Sequence, residues 1–180
     1  MDQTYTFTVP RLETARFHLR EYRPGDFEAF AAHLADPESM THLNLSDRKT
    51  AWRVFGSHAG LWLLGGAGWW AIEDKATGQV LGNVGAFFRD GFETLEMGWN
   101  TYRTAWGKGV AREAGAAALA YALDVRREAK VQALISDANE ASKRVAARLG
   151  FRYEGEVLLN GKTTGCYVIR QGDASMEAAR

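Results

Sequence analysis

The chain has 180 residues, 46% hydrophobic and 24% charged, the balance of an ordinary soluble globular protein with enough length for a real core. Its formal net charge is zero, which argues against a general nucleic-acid binder, since such proteins carry a basic excess. The sole cysteine, Cys166, excludes an internal disulfide framework and a cysteine-rich zinc site, and fits a reducing cytoplasm.

The first residues, Met1 to Thr8, have no basic start and no apolar block, so no signal peptide is expected. No run approaches the length of a membrane span. Phe17 to Tyr22 alternates apolar and polar residues and predicts a half-buried strand. Pro24 then opens a helix with Phe27, Phe30, Ala31 and Leu34 on one face, and Asp36-Pro37 ends it. A second helix is expected from Asp47 to Leu64, capped by Ser46 or Asp47 and broken by Gly65-Gly66-Ala67-Gly68. Trp69 to Ile72 and Val80 to Phe88 read as a hairpin around the turn Glu73 to Gly78. Thr94 to Asn100 is a third strand of this group.

A glycine-rich turn follows, then an alanine-rich helix to about Arg126. Its inward stripe is Ala111, Ala114, Ala118, Tyr121 or Ala122, and Val125. Val131 to Ser136 is a strand, and Asn139 to Leu149 a short helix with Val145, Ala146 and Leu149 inward and Gly150 as its cap. Phe151 and Cys166 to Arg170 supply the last strands. No repeat or linker divides the chain. Residues 1–172 are expected to form a single domain, and residues 173–180 a mobile polar tail.

The glycine turn carries the chemistry. Gly107 and Gly109 lack a Cβ, so the backbone can take conformations closed to other residues and a ligand can come close. The first amides of the next helix have no partner within it and stand at the positive end of its dipole. Such a turn is an anion site, most often for phosphate, and points to a phosphorylated cofactor. A Rossmann fingerprint needs a third glycine where Arg112 stands, and a P-loop needs a hydroxyl residue where Gly109 follows Lys108.

Three segments occur in order: Glu96-Met97-Gly98-Trp99, then Trp106 to Ala114, then Asn139-Glu140-Ala141-Ser142 running on to Leu149-Gly150-Phe151. With them the chain resembles the GNAT acetyltransferases, and within these the ribosomal-protein amino-terminal acetyltransferases. The likeness runs from about Arg11 to Arg170. Trp106 replaces the superfamily's usual Gln or Arg, while Gly109 and Ala111 keep the rest of its cofactor loop. The resemblance implies an α+β fold, a three-layer α/β/α sandwich with a mixed, mostly antiparallel sheet. In it, parallel strands at Leu95 to Asn100 and Val131 to Ser136 splay apart. It also implies acetyl-CoA as cofactor and a primary amine as acceptor, either a protein amino terminus or a small molecule. Transfer would be direct, within a ternary complex, and the assembly it implies is a homodimer. Neither nucleic acid nor membrane is an expected partner. The alternative is a degenerate acyl-CoA-binding sensor.

Under that resemblance Glu96 is the candidate general base, with Glu93 behind it. The competing reading of Glu96 is a polar residue on a solvated sheet face. A strand amide near Met97, Gly98 and Trp99 would steady the acyl oxygen. The tyrosine that many GNAT enzymes use as general acid would fall near Ala146 and is missing. Ser142 is the candidate donor to the departing sulfur, or else a first-turn serine bonded to backbone. Thiols have a pKa near ~8.5, so a weak acid suffices there. Trp106, Gly107, Lys108, Gly109, Val110 and Ala111 form the candidate cofactor cradle, with Lys108 either adding charge or simply solvated. Asn139 holds the pantetheine arm or caps its helix. Lys143 and Arg144 reach the 3′-phosphate or lie on a solvated face. Trp62 lines the acceptor cleft, whereas Trp69, Trp70 and Trp99 read as core or sheet residues. The family's acidic residue in the last hairpin has no clear counterpart in Lys162-Thr163-Thr164-Gly165. The four histidines lack metal spacing, and no metal is assigned.

Overall fold

The computed structural model describes residues 7–173, so the expected tail beyond Asp173 and the start of the amino-terminal reading lie outside the described residues. Along the chain run β1 (Leu12–Glu13), β2 (Phe17–Arg20), α1 (Phe27–Ala35), α2 (Arg48–Gly65), β3 (Gly68–Asp74), β4 (Val80–Phe87), β5 (Leu95–Thr101), α3 (Val110–Ala120), β6 (Lys130–Ile135), α4 (Glu140–Arg148), β7 (Arg152–Leu159) and β8 (Lys162–Arg170). The strands form one sheet in the order β1-β2-β3-β4-β5-β6-β8-β7. Neighbours pair antiparallel, except for the parallel pair β5–β6.

Strand alternation decides the layers. Leu95 and Met97 of β5, with Val84 and Ala86 of β4, enter the main core together with Val110, Ala114 and Ala118 of α3. Residues one step along turn the other way, and Trp69 of β3 stacks on His58 of α2 at 4.4 Å between centroids. Helices thus cover both faces, and the expected three-layer sandwich forms. Its helix ends follow local chemistry. Asp47 caps α2 by accepting from the Thr50 amide at 2.7 Å, and Gly66 closes that helix at φ 61°. Small residues set the spacing between α3 and α4, since a Cβ on Gly115 would lie 2.9 Å from Leu149 Cδ1. Among the described residues no helix is long and apolar enough to cross a membrane.

The structure differs from expectation at several elements. Pro24 opens a 3-10 turn, Pro24–Asp26, that runs into α1. The third helix is α-helical to Ala120 and then continues as a π turn over Tyr121–Val125. Within it the Arg126 amide donates to the Tyr121 carbonyl at 3.0 Å. The widened turn takes Val125 off the inward stripe, and it is 67% exposed. β7 is longer than Phe151 suggested, and β8 begins at Lys162, not Cys166. The two meet at Asn160 and Gly161, both with positive φ, which is the geometry of a two-residue hairpin turn.

Candidate functional site

β5 and β6 share two rungs, Leu95 with Val131 and Glu96 with Gln132, and then part. β5 runs on to Thr101 with β4 as its ladder partner, and β6 runs on to Ile135 with β8. Peptide groups of a strand point alternately to its two sides. Along Met97, Gly98 and Trp99, those on the β6 side face a wedge instead of a strand. Met97 is buried, and Trp99 packs against Phe151 at 6.4 Å.

Beyond β5 comes a 3-10 turn, Arg103–Ala105, and then the glycine turn. Gly107 and Gly109 both have φ of 73°, in the left-handed region that glycine occupies at little cost. A Cβ on Gly107 would meet nothing within 4 Å, so the approach to its backbone is open. Gly109 is the N-cap of α3 and offers no side-chain cap. The amides of Val110, Ala111 and Arg112 have no acceptor within the helix. Val110 is buried and anchors the helix start, while Lys108 is exposed. Trp106 is 44% exposed, and its Nε1 donates to the Thr101 carbonyl at 2.8 Å. This turn is fastened from outside by a residue that sequence reasoning missed. Arg16 donates through Nη1 to the Lys108 carbonyl at 3.0 Å and through Nε to Glu113 at 2.7 Å. Backbone donors, an open approach and a positive helix end together fit a diphosphate.

At the start of α4, Asn139 Oδ1 accepts from the Ser142 amide at 3.0 Å, the capping role. Ser142 is half-buried. Lys143 Nζ lies 2.7 Å from Asp137 and 3.1 Å from Glu140. Hydrogen bonds to these two carboxylates raise its pKa.

Glu96 is not on a solvated face, being 4% exposed. Arg89 grips it with two bonds, Nε to Oε2 at 2.7 Å and Nη2 to Oε1 at 2.6 Å. The bonded carboxylate raises the Arg89 pKa. Gln132, its partner on the last shared rung, is buried. Its Nε2 has no hydrogen-bond partner among the described residues. The Cys166 thiol stands 3.8 Å from the Gln132 Oε1, and burial pushes that thiol's pKa up.

The face that carries Glu96 also carries a stack that sequence reasoning missed. The Tyr22 hydroxyl lies 3.1 Å from His58 Nδ1. His58 lies parallel to Trp69, which stacks in turn on Phe87 at 5.1 Å. Burial pushes His58 down to about 3 and Tyr22 well above its ordinary value. Both are therefore neutral near pH 7. The signal was present: Ala51, Phe55, His58 and Trp62 recur at helical spacing on α2. Trp62 does not line a cleft as expected. It is 1% exposed, packs edge-on against Trp70 at 4.6 Å and donates to the Trp69 carbonyl at 2.9 Å. Gly68 makes room for it, because a Cβ there would fall 2.7 Å from the indole.

A family model described as acetyltransferase (GNAT) domain matches residues 16–152. The chain is 31% identical over 161 residues to the uncharacterized protein YkkB of Bacillus subtilis (strain 168), covering 87% of this chain and 94% of that one. It is 26% identical over 150 residues to the uncharacterized N-acetyltransferase YoaA of the same organism, covering 81% and 85%. The crystal structure of an acetyltransferase from Agrobacterium tumefaciens str. C58 matches with a TM-score of 0.84 at 27% identity, covering 95% of this chain and 100% of that one. Mycobacterium smegmatis RimJ, solved in complex with CoA-disulfide, shares the fold with a TM-score of 0.73 at 19% identity, covering 94% of each chain.

Proposed function

This chain belongs to the GNAT acetyltransferase family, and on that premise we propose that it transfers the acetyl group of acetyl-CoA to a primary amine by direct attack in a ternary complex. One observation carries the reading: β5 and β6 part directly after the Glu96–Gln132 rung, and the chain leads from the wide end of that wedge to an uncapped helix start. The backbone of Gly107, Lys108, Gly109, Val110 and Ala111 holds the diphosphate, with Trp106 beside it. The wedge at Met97, Gly98 and Trp99 takes the pantetheine arm, with Asn139 shaping its far side. Lys143 reaches a phosphate only by exchanging Asp137 and Glu140 for it.

Acetyl-CoA supplies an activated acyl carbon as a thioester. Glu96, held in place by Arg89, accepts a proton from the acceptor ammonium, directly or through a water. A strand amide over Met97–Trp99 donates to the acyl oxygen as negative charge develops. Ser142 donates to the sulfur. Holding both reactants in one wedge supplies much of the acceleration.

Thiol release from acetyl-CoA across an amine panel, beside calorimetric acetyl-CoA binding, tests this. Saturable, amine-dependent release is the expected result. Tight binding with no release on any amine would replace it with an acyl-CoA sensor. One observation favours that second reading: both Glu96 oxygens are already bonded to Arg89.

A further inference from the structure

Arg89 has donors on two edges. Nε and Nη2 are bonded to Glu96 at 2.7 and 2.6 Å. A guanidinium is a planar fork with N–H groups left on its other edge. Among the described residues, Nη1 has no hydrogen-bond partner, so a second carboxylate can be held side by side on the Nη1–Nη2 edge. The two ends of the pair also differ in access, since the Arg89 side chain is 33% exposed and that of Glu96 6%. Arg89 in addition lines a cleft of about 370 Å³ between the end of α2 and the loop from β4 to β5. Leu61, Leu64, Phe88 and Phe92 supply apolar wall, and Asp90 stands in the same lining. The guanidinium therefore joins a buried carboxylate to an open cleft with four large apolar side chains in its lining.

We propose that this cleft receives the acceptor, and that the acceptor is an α-amino acid with an apolar side chain and a free carboxylate; the inference rests on the acetyl transfer proposed above. The carboxylate binds the free edge of Arg89 as a bidentate pair. One carbon separates an α-amine from its carboxylate, so this anchor brings the amine beside Glu96 on the adjoining edge, at the apex of the wedge. A buried amide donor without an acceptor is costly. The Nε2 of Gln132, on the same rung as Glu96, is such a donor among the described residues. The apolar wall takes the side chain. Asp90 repels a second negative charge, which favours monocarboxylic acceptors over dicarboxylic ones. Alkylamines and polyamines bring no anion for Arg89. In the transfer, the ammonium gives one proton to Glu96. Its nitrogen bonds the acyl carbon as the carbon–sulfur bond breaks, and a second nitrogen-bound proton leaves with the sulfur as thiol.

Initial rates of acetyl-CoA-dependent thiol release, for L-leucine, L-leucinamide, isoamylamine and L-glutamate, test the proposal on the unaltered protein. Expected is a kcat/KM for leucine about tenfold or more above leucinamide and isoamylamine, and above glutamate. Arg89→Gln should abolish the preference for acid over amide, while Arg89→Lys keeps part of it. Melting temperature and acetyl-CoA affinity are measured on both variants. Should neither fold, the acid-to-amide ratio of the unaltered protein decides alone. Equal rates for leucine and leucinamide, or turnover of isoamylamine without turnover of leucine, overturn this acceptor class and leave acetyl transfer standing. No thiol release with any amine overturns both.

Discussion

The indole of Trp69 rests on Gly98: a Cβ built on that glycine would lie 2.6 Å from Cη2 of the ring. Gly85, one strand over, leaves the same room, at 2.5 Å from Cδ2. His58 at 4.4 Å and Phe87 at 5.1 Å hold the ring from elsewhere. A methyl group at position 98 thus meets a ring with nowhere to go. Overpacking of this kind costs about 1–3 kcal/mol. Gly98→Ala is expected to lower the melting temperature and, by shifting the start of the wedge, to weaken acetyl-CoA binding. An unchanged melting temperature would show that the ring tilts away freely.

Gly107 separates two reasons for glycine. Its φ of 73° strains any residue with a Cβ, by roughly 1–2 kcal/mol, and asparagine bears this conformation better than alanine. A side chain there meets no protein atom, so any clash is with the ligand. Gly107→Asn should therefore melt above Gly107→Ala, yet both should lose acetyl-CoA affinity in calorimetry, by about tenfold or more. Native affinity in the asparagine variant would mean that the ligand does not approach this backbone.

Burial sets a pH dependence at His58, whose pKa is pushed down to about 3 from an ordinary 6.5. Below the ordinary value, the unfolded chain takes up a proton that the folded imidazole refuses. The unfolded state then binds more protons, so stability falls as pH drops. The contribution is whole above pH 6.5 and is lost on the way down to about pH 3. Its slope approaches about 1.4 kcal/mol per pH unit. Urea unfolding at several pH values should give a shallower slope for His58→Phe than for the unaltered protein. Identical slopes would mean that the folded protein protonates His58 normally.

The glycine turn is legible in sequence because its cause is local: the residue types at 107 and 109 set the backbone by themselves. The parting of β5 and β6 follows from the resemblance and not from periodicity, which cannot tell two neighbouring strands from two distant ones. Arg89 is hidden for a tertiary reason. It is seven residues from Glu96 in sequence, and only the loop after β4 turns it back onto the carboxylate. Val125 misleads because a π turn departs from the helical period that the stripe assumes. β7 shows a weak pattern, alternating exposed and half-buried residues with Leu158 73% exposed, and only Asn160-Gly161 marks the turn beyond it.

Trp62 is a core residue by the same tertiary logic, since its place depends on Gly68 arriving later in the chain. Large aromatic-to-small changes in a core cost about 3–5 kcal/mol, and leucine fills part of the space. Trp62→Leu should therefore destabilise the fold by about 2–4 kcal/mol while leaving the KM for the amine acceptor unchanged where the variant is folded. A raised KM at native stability would return Trp62 to the acceptor cleft.

Glu96 and Arg89 are unequal partners, with side chains 6% and 33% exposed. Loss of Arg89 leaves a buried carboxylate unpaired, whereas loss of the Glu96 charge leaves a guanidinium that can turn to water. Arg89→Gln should thus cost more stability than Glu96→Gln, by on the order of 1–3 kcal/mol near neutral pH. Turnover distinguishes the pair differently. If Glu96 accepts the ammonium proton, Glu96→Gln loses about 10²–10⁴-fold in kcat while keeping its acetyl-CoA affinity. Denaturant melts and thiol release on the same two variants measure both effects. Equal stability losses would mean that water already reaches the carboxylate. Full turnover in Glu96→Gln would move the base to another group, first of all to the exposed Glu93.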